Sequence, residues 1–259
     1  MHGVDHMDWT IALMGLFVGL LVGLTGVGGA ALLTPILVLV GIQPTVAVAT
    51  DLFYNSITKL FGSIQHYRQR TIQFKLVLYL AIGSVPSAIL AILLLELYPP
   101  LHAIQETIIK HTLGIVLIVV AILSVAKQWF GRMEGSRLQN KPLEQKIWLT
   151  IGIGAALGFI VGMTSIGSGS LFAIAMMFFF RMTAAELVGT DIAHAFLLVS
   201  AAGIMHAGFG NIDYGLAFNL LLGSIPGVLL GSGLSAKLPA KPLRTLMAAI
   251  ILISGLKLI

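Results

Sequence analysis

The chain has 259 residues, of which 58% are hydrophobic and only 10% are charged. A soluble domain cannot be so apolar, because polar groups must cover its surface, so the composition predicts an all-α integral membrane protein in a lipid bilayer. The net charge is +5, but the basic residues cluster in short loops between apolar runs, so nucleic-acid binding is not expected. The absence of cysteine excludes disulfides, thiol chemistry and iron–sulfur ligation.

Ten apolar segments, separated by turn residues or charges, are predicted to form helices. They cover approximately residues 10–24, 29–41, 46–65, 74–97, 104–126, 147–162, 168–180, 186–207, 214–236 and 242–259. Most approach the roughly 20 residues that cross a hydrocarbon core. The segments 10–24, 29–41 and 168–180 are shorter, so they are expected to be re-entrant or broken.

One long polar interval, residues 127–146, divides the chain near its middle. The predicted organisation is a first membrane repeat over residues 1–130, a cytoplasmic linker over 131–145 and a second membrane repeat over 146–259. Two histidines at the start, His2 and His6, are four residues apart. No further ligands cluster near them, so neither a metal site nor a cofactor is expected.

The second half of the sequence repeats the first. "LTGVGG" from Leu24 recurs as "MTSIGS" from Met163, Thr50-Asp51 recurs as Thr190-Asp191, and "GSVP" from Gly83 recurs as "GSIP". The matching motifs keep a nearly constant spacing between the two halves, which indicates an internal duplication of the kind found in secondary transporters.

The basic loops predict opposite orientations for the two copies. After His66 the loop reads "HYRQRTIQFK", whereas its counterpart "HAGFGNIDYG" has no Lys or Arg. The next pair reverses this, because "ELYPPLHAIQE" has none and "AKLPAKPLR" has three. The positive-inside rule then places the linker and the loops near residues 70 and 240 in the cytoplasm, with both termini outside the inner membrane. Inverted-topology repeats follow.

Two glycine-rich stretches, residues 23–29 and 162–169, are expected to break helices near the membrane midplane. They suggest either a helical hairpin or a pair of broken helices, and the charge pattern does not choose between these. Such backbone is tolerated only where it is buried in protein or lines a cavity, and the helix that follows attracts anions. The predicted substrate-binding residues are Thr25, Gly26, Gly28, Gly29, Asn55, Thr164, Ser165, Gly167 and Ser168. The ridge that begins Gly15-x3-Gly19 is instead interpreted as helix packing.

Titratable residues at membrane depth are the candidate coupling or gating groups: Asp51, Asp191, His66, His194 and His206. An intramembrane carboxylate carries a proton, binds a cation or pairs with a base. The structural alternatives are a helix cap, or an ion pair between Asp51 and Lys59. For His66 and His206, which lie near the ends of their segments, anchoring at the membrane interface is an equal alternative.

Four segments carry a resemblance to a known family: "VGLTGVGGAALLTPIL" from Val22, "AVATDLFYNSITKLFGSIQHYR" from Ala47, "GFIVGMTSIGSGSL" from Gly158 and "LVGTDIAHAFLLVSAAGIMHAGFGNID" from Leu187. The chain resembles the sulfite exporter TauE/SafE family over nearly its whole length. The resemblance implies movement of small sulfur-containing anions, such as sulfite and sulfonates, across the bacterial inner membrane. The residues alone imply only a small anion.

The sequence therefore favours a secondary transporter, acting as an exporter by the resemblance, over an enzyme. A passive anion channel is the first alternative, but midplane carboxylates would repel anions in an open pore. An intramembrane hydrolase would need Ser168 or Ser170 as nucleophile and His206 as base, and duplication of the whole unit is unexpected for a single active site. Proton coupling, the exact anion, the direction of transport and the oligomeric state stay open.

Overall fold

A computed structural model describes residues 9–25, 30–130, 139, 141–235 and 240–259. The helices are α1 (Trp9–Thr25), α2 (Ala30–Leu39), α3 (Pro44–Arg68), α4 (Phe74–Leu97), α5 (Pro99–His102), α6 (Gln105–Phe130), α7 (Ile147–Thr164), α8 (Ser170–Phe179), α9 (Ala184–Gly208), α10 (Tyr214–Ser235) and α11 (Ala240–Leu258). A 3₁₀ turn, Leu143–Lys146, precedes α7. The prediction of an all-α chain is confirmed for this part of the chain, which contains no strand.

Local signals explain where two helices begin. Helix α3 starts two residues before the predicted segment because Pro44 occupies its first turn, where the missing N–H costs nothing. Helix α9 starts at Ala184, because Thr183 and Glu186 form a reciprocal capping box. The short helix α5 has no counterpart among the predicted segments, and it too starts at a proline, Pro99.

Five helical stretches in the described part of the chain are long and apolar enough to cross a membrane: α4, α6, α7 with its preceding turn, α9 and α10. Helices α1, α8 and α11 contribute shorter apolar stretches. Helix α3 has 25 residues but carries Asp51 and Lys59, both of which are buried. The buried residues of α3 all lie between Thr45 and Lys59, so this part of the helix keeps its charged side chains from lipid, whereas its C-terminal part is more exposed.

Glycines bring two pairs of helices into backbone contact, α1 with α10 and α7 with α4. The contacts are Gly15 with Leu220, Gly19 with Ser224, Gly154 with Leu80 and Gly158 with Ser84. A methyl group at any of these glycines would collide with main-chain atoms of the partner helix. The structure therefore supports the packing interpretation of these glycines.

Helices α3 and α9 cross in the interior and run antiparallel. Gly203 of α9 lies against Leu52 and Phe53 near the start of α3, whereas Gly62 near the end of α3 lies against Ile192. Both helices carry a Thr-Asp pair that is buried at the crossing. The crossing thus brings the polar motifs of the two halves of the chain together.

Candidate functional site

The second glycine-rich stretch is a buried break between α7 and α8. Helix α7 ends at Thr164, and Ser165 adopts a left-handed conformation with φ 58°, its N–H donating to the Val161 carbonyl at 2.7 Å. Gly167 has φ 102°, a conformation that side chains rarely adopt. Ser165, Ile166 and Ser168 are fully buried. Non-helical backbone therefore lies inside the protein, where such backbone is tolerated at membrane depth.

The first glycine-rich stretch lies between the end of α1 at Thr25 and the start of α2 at Ala30. Its residues 26–29, which include the predicted ligands Gly26, Gly28 and Gly29, lie outside the described residues. The side chain of Thr25 is outside the described part as well.

Asp51 joins three elements through its carboxylate. Its Oδ2 accepts from Thr34 Oγ1 of α2 at 2.9 Å and from Ser165 Oγ of the break at 2.6 Å. Its Oδ1 accepts from Asn55 Nδ2, one turn along α3, at 2.8 Å. All four residues are buried. The carboxylate thus ties α2 and α3 to the break between α7 and α8.

Three oxygens of this network form a triangle that is short of protons. Thr34 Oγ1 and Ser165 Oγ are 2.7 Å apart, and both contact Asp51 Oδ2. Each hydroxyl supplies one proton, so two protons serve three contacts. A proton on Asp51 Oδ2 would supply the third, which makes the triangle chemically suited to bind one.

Lys59 lies two turns beyond Asp51 and is 9% exposed. Its Nζ donates to the main-chain carbonyl of Ser168 at 3.1 Å. Its electrostatic partners are Asp191 and Asp51, in that order of strength. The ammonium therefore lies in the field of both carboxylates, at the break.

His194 lies one turn after Asp191 in α9 and is fully buried. Its Nε2 is 2.8 Å from Ser84 Oγ of α4, and its ring packs on the Phe172 ring of α8 at a centroid distance of 4.3 Å. The imidazole lies within electrostatic range of the Lys59 ammonium. The buried charged and titratable groups thus form one centre, made of Asp51, Lys59, Asp191 and His194.

The threonines beside the aspartates hold the crossing in place. Thr50 Oγ1 accepts from the N–H of Asp213 at 3.2 Å, and Thr190 Oγ1 accepts from the N–H of Gln73 at 3.1 Å. Asp213 and Gln73 immediately precede α10 and α4. By contrast, the Thr164 hydroxyl donates to the Ile160 carbonyl of its own helix at 2.7 Å, a back-bond common in apolar helices.

His66 and His206 lie near the C-terminal ends of α3 and α9. His66 Nδ1 is 2.8 Å from Thr71 Oγ1, and His206 Nδ1 is 3.3 Å from Asn211 Nδ2. His66 follows Asp51 by fifteen residues, or about 22 Å along a helix, so it is far from the aspartate of its own helix. Because α3 and α9 run antiparallel, His66 instead lies beside Gly189, two residues before Asp191.

Three residues of the centre were not among the predicted site residues. The helical spacing of Lys59 from Asp51 and Asn55 is visible in the sequence, but the only role predicted for Lys59 was a structural ion pair with Asp51. Thr34 and Ser84 gave no signal, because single hydroxyl residues in apolar helices usually bond to their own backbone. Within the described residues, no group of three or more His, Asp or Glu side chains is placed to hold a metal ion.

Comparisons with known proteins identify the family of this chain. The family model for the sulfite exporter TauE/SafE matches residues 11–258. The chain is 65% identical to the probable membrane transporter protein YjnA of Bacillus subtilis (strain 168), over 98% of this chain and 100% of that protein. It is 25% identical to the probable membrane transporter protein YdhB of the same organism, over 96% of this chain and 99% of that protein. No solved structure matches the chain. The chain belongs to the sulfite exporter TauE/SafE family of membrane transporters.

Proposed function

We propose that this protein is a secondary transporter that exports small sulfur-containing anions, such as sulfite or organosulfonates, across the inner membrane. The observation that carries the proposal is the bond from Ser165 of the buried break to Asp51 at 2.6 Å, in a chain of the sulfite exporter family. The break offers main-chain and hydroxyl donors, and the carboxylate is the coupling group.

Two inverted-topology repeats, residues 1–130 and 146–259, form the transporter. Reciprocal packing supports this, because α1 contacts α10 as α7 contacts α4, through equivalent glycines. The antiparallel crossing of α3 and α9 supports inversion, since repeat-equivalent helices related by an axis along the membrane normal would run parallel. With the basic loops in the cytoplasm, both termini lie outside.

Proton coupling occurs at Asp51, with Asp191 as its counterpart in the second repeat. The oxygen triangle of Asp51, Thr34 and Ser165 supports this assignment, because it lacks one proton when the carboxyl group is ionised. A proton there also lowers the negative charge that an incoming anion meets.

The alternatives receive less support from the site. A passive channel would expose Asp51 and Asp191 to the permeating anion, and these carboxylates would repel it. A hydrolase would need a base on Ser168 or Ser170, but His194 bonds to Ser84 and His206 to Asn211. Within the described residues, the Ser168 hydroxyl has no hydrogen-bond partner.

The experiment that tests the substrate assignment is flux into proteoliposomes of the purified protein. The panel is sulfite, methanesulfonate, thiosulfate, sulfate and acetate, each at equal concentration, with protein-free liposomes as the control. Saturable flux of sulfite or the sulfonate above acetate is expected. Flux of none of the sulfur anions would overturn the assignment.

A further inference from the structure

Two buried polar atoms near the start of α8 have no hydrogen-bond partner. They are Ser168 Oγ and His194 Nδ1, and both residues are fully buried. An unpaired buried polar group costs stability. Ser168 lies two residues before α8, and the His194 ring packs on Phe172 in the first turn of that helix, so both groups lie at the same helix start. A ligand that binds at this helix start would give both groups a partner.

Lys59 connects these two groups. Its ammonium donates to the carbonyl of Ser168, the same residue whose hydroxyl is unpaired, at 3.1 Å. It also interacts electrostatically with His194. Phe172, in the first turn of α8, packs on the His194 ring and so holds the imidazole beside the break.

The hydrogen-bonding chemistry of the three groups matches an oxyanion. When the Ser84 hydroxyl donates to His194 Nε2, the single proton of the neutral imidazole lies on Nδ1. The three groups are then an ammonium, an O–H and an N–H, all of them donors. A buried ammonium with neutral O–H and N–H donors nearby is the chemistry that binds a small oxyanion, because hydrogen bonds to an anion are charge-assisted.

We propose that Lys59, Ser168 and His194 form the subsite that binds the substrate anion, with Lys59 as its counter-ion; this rests on the proposed transport function. In the present arrangement the Ser168 carbonyl accepts from Lys59, and an oxygen of the bound anion replaces it. The repeat equivalent of Lys59 is Val199, which is buried and apolar. The duplicated fold therefore carries one such subsite per chain.

The charges that face Lys59 link anion binding to protonation. Asp51 lies on the same helix, and Asp191 and His194 face it from α9. When Asp51 and Asp191 are both ionised and His194 is neutral, the two carboxylates outweigh the single positive charge of Lys59. A bound anion would add to this net negative charge. Binding is therefore tighter when Asp51 holds the proton that its oxygen triangle lacks.

The Ser168→Ala variant separates a ligand role from a structural one. Because the hydroxyl has no partner, its removal leaves the melting temperature of the detergent-purified protein unchanged or raises it. The same change weakens sulfite binding, measured by titration calorimetry, by about tenfold, the loss of one hydrogen bond to a charged group. A purely structural hydroxyl would move stability and leave affinity unaltered.

Variants at Lys59 test the counter-ion. Lys59→Met weakens sulfite binding by at least about tenfold, whereas Lys59→Arg keeps the positive charge and part of the affinity. The matched control is Lys146→Met. Lys146 is another buried lysine that donates to a main-chain carbonyl, that of Phe179 at 2.9 Å, but it lies outside the centre. This control keeps the affinity of the wild-type protein.

The outcomes are distinct. The subsite is overturned if Ser168→Ala and Lys59→Arg fold and bind sulfite with wild-type affinity, and if Lys59→Met does so where it folds. The proposed function would then still stand. If the wild-type protein binds acetate or phosphate through Lys59 but binds no sulfur anion, the subsite is supported and the sulfur assignment is overturned. A wild-type protein that binds none of these anions overturns both.

Discussion

The bond between Ser165 and Asp51 gives the most quantitative prediction. Ser165→Ala removes a hydroxyl that donates to the carboxylate at 2.6 Å and contacts Thr34 at 2.7 Å. Alanine and serine share the same strain at the left-handed φ of 58°, so the change isolates the hydroxyl.

The expected magnitude follows from the acceptor and the membrane setting. Hydrogen bonds to charged groups contribute about 1.5–3 kcal/mol in soluble proteins. Interhelical hydrogen bonds in one membrane protein average only about 0.6 kcal/mol, with a maximum near 1.7. Asp51 retains Thr34 and Asn55 as donors, so we expect a coupling free energy of about 1 kcal/mol between Ser165 and Asp51.

A double-mutant cycle measures this coupling. Ser165→Ala, Asp51→Ala and the double variant are unfolded in mixed detergent micelles, and the free energies of unfolding are compared. Alanine replaces Asp51 here because asparagine would keep an acceptor oxygen for the Ser165 hydroxyl. The control pairs Asp51→Ala with Thr164→Val, because the Thr164 hydroxyl bonds within its own helix. Additivity of Ser165→Ala and Asp51→Ala within about 0.3 kcal/mol, as expected of the control pair, would show that this bond contributes no coupling.

Two further predictions concern helix packing and capping. Gly158→Ala places a methyl group against the Ser84 backbone and is expected to destabilise the protein by about 1–3 kcal/mol. The control is Gly152→Ala, which is expected to be neutral or stabilising because its methyl group contacts no other atom. Thermal unfolding in detergent compares the two, and equal melting temperatures would contradict the contact between α7 and α4. Thr183→Ala removes the capping box with Glu186 and should lower the free energy of unfolding by about 1 kcal/mol, whereas no loss would show that the cap is dispensable.

Much of the centre was predictable because helical spacing and glycine breaks are local signals. Asp51, Asn55 and Lys59 recur every four residues, and the structure places all three in the buried interior of α3. The break after Thr164 was indicated by Gly167, which adopts φ 102°. These signals depend only on backbone geometry and helix periodicity, so they are visible in one sequence.

The partners of these residues were not predictable, because they depend on the packing of distant segments. The Thr34 hydroxyl reaches Asp51 only because α2 packs on α3, and nothing in the apolar sequence around it marks this. The Ser84 hydroxyl contacts His194, 110 residues later in the sequence, only because α4 packs on α9. The position of His66 beside Gly189 was not predictable either, because it depends on the antiparallel packing of α3 on α9.

Asp51 is proposed to couple anion movement to protons, and sulfite flux into proteoliposomes tests this. The flux is measured with and without an imposed pH gradient, for the wild-type protein and for Asp51→Asn. Asparagine keeps the size of the side chain and an acceptor oxygen, so the variant is expected to fold. We expect gradient-dependent flux for the wild-type protein and loss of the gradient dependence in Asp51→Asn. Full gradient-dependent flux in the variant would show that Asp51 is not the coupling group.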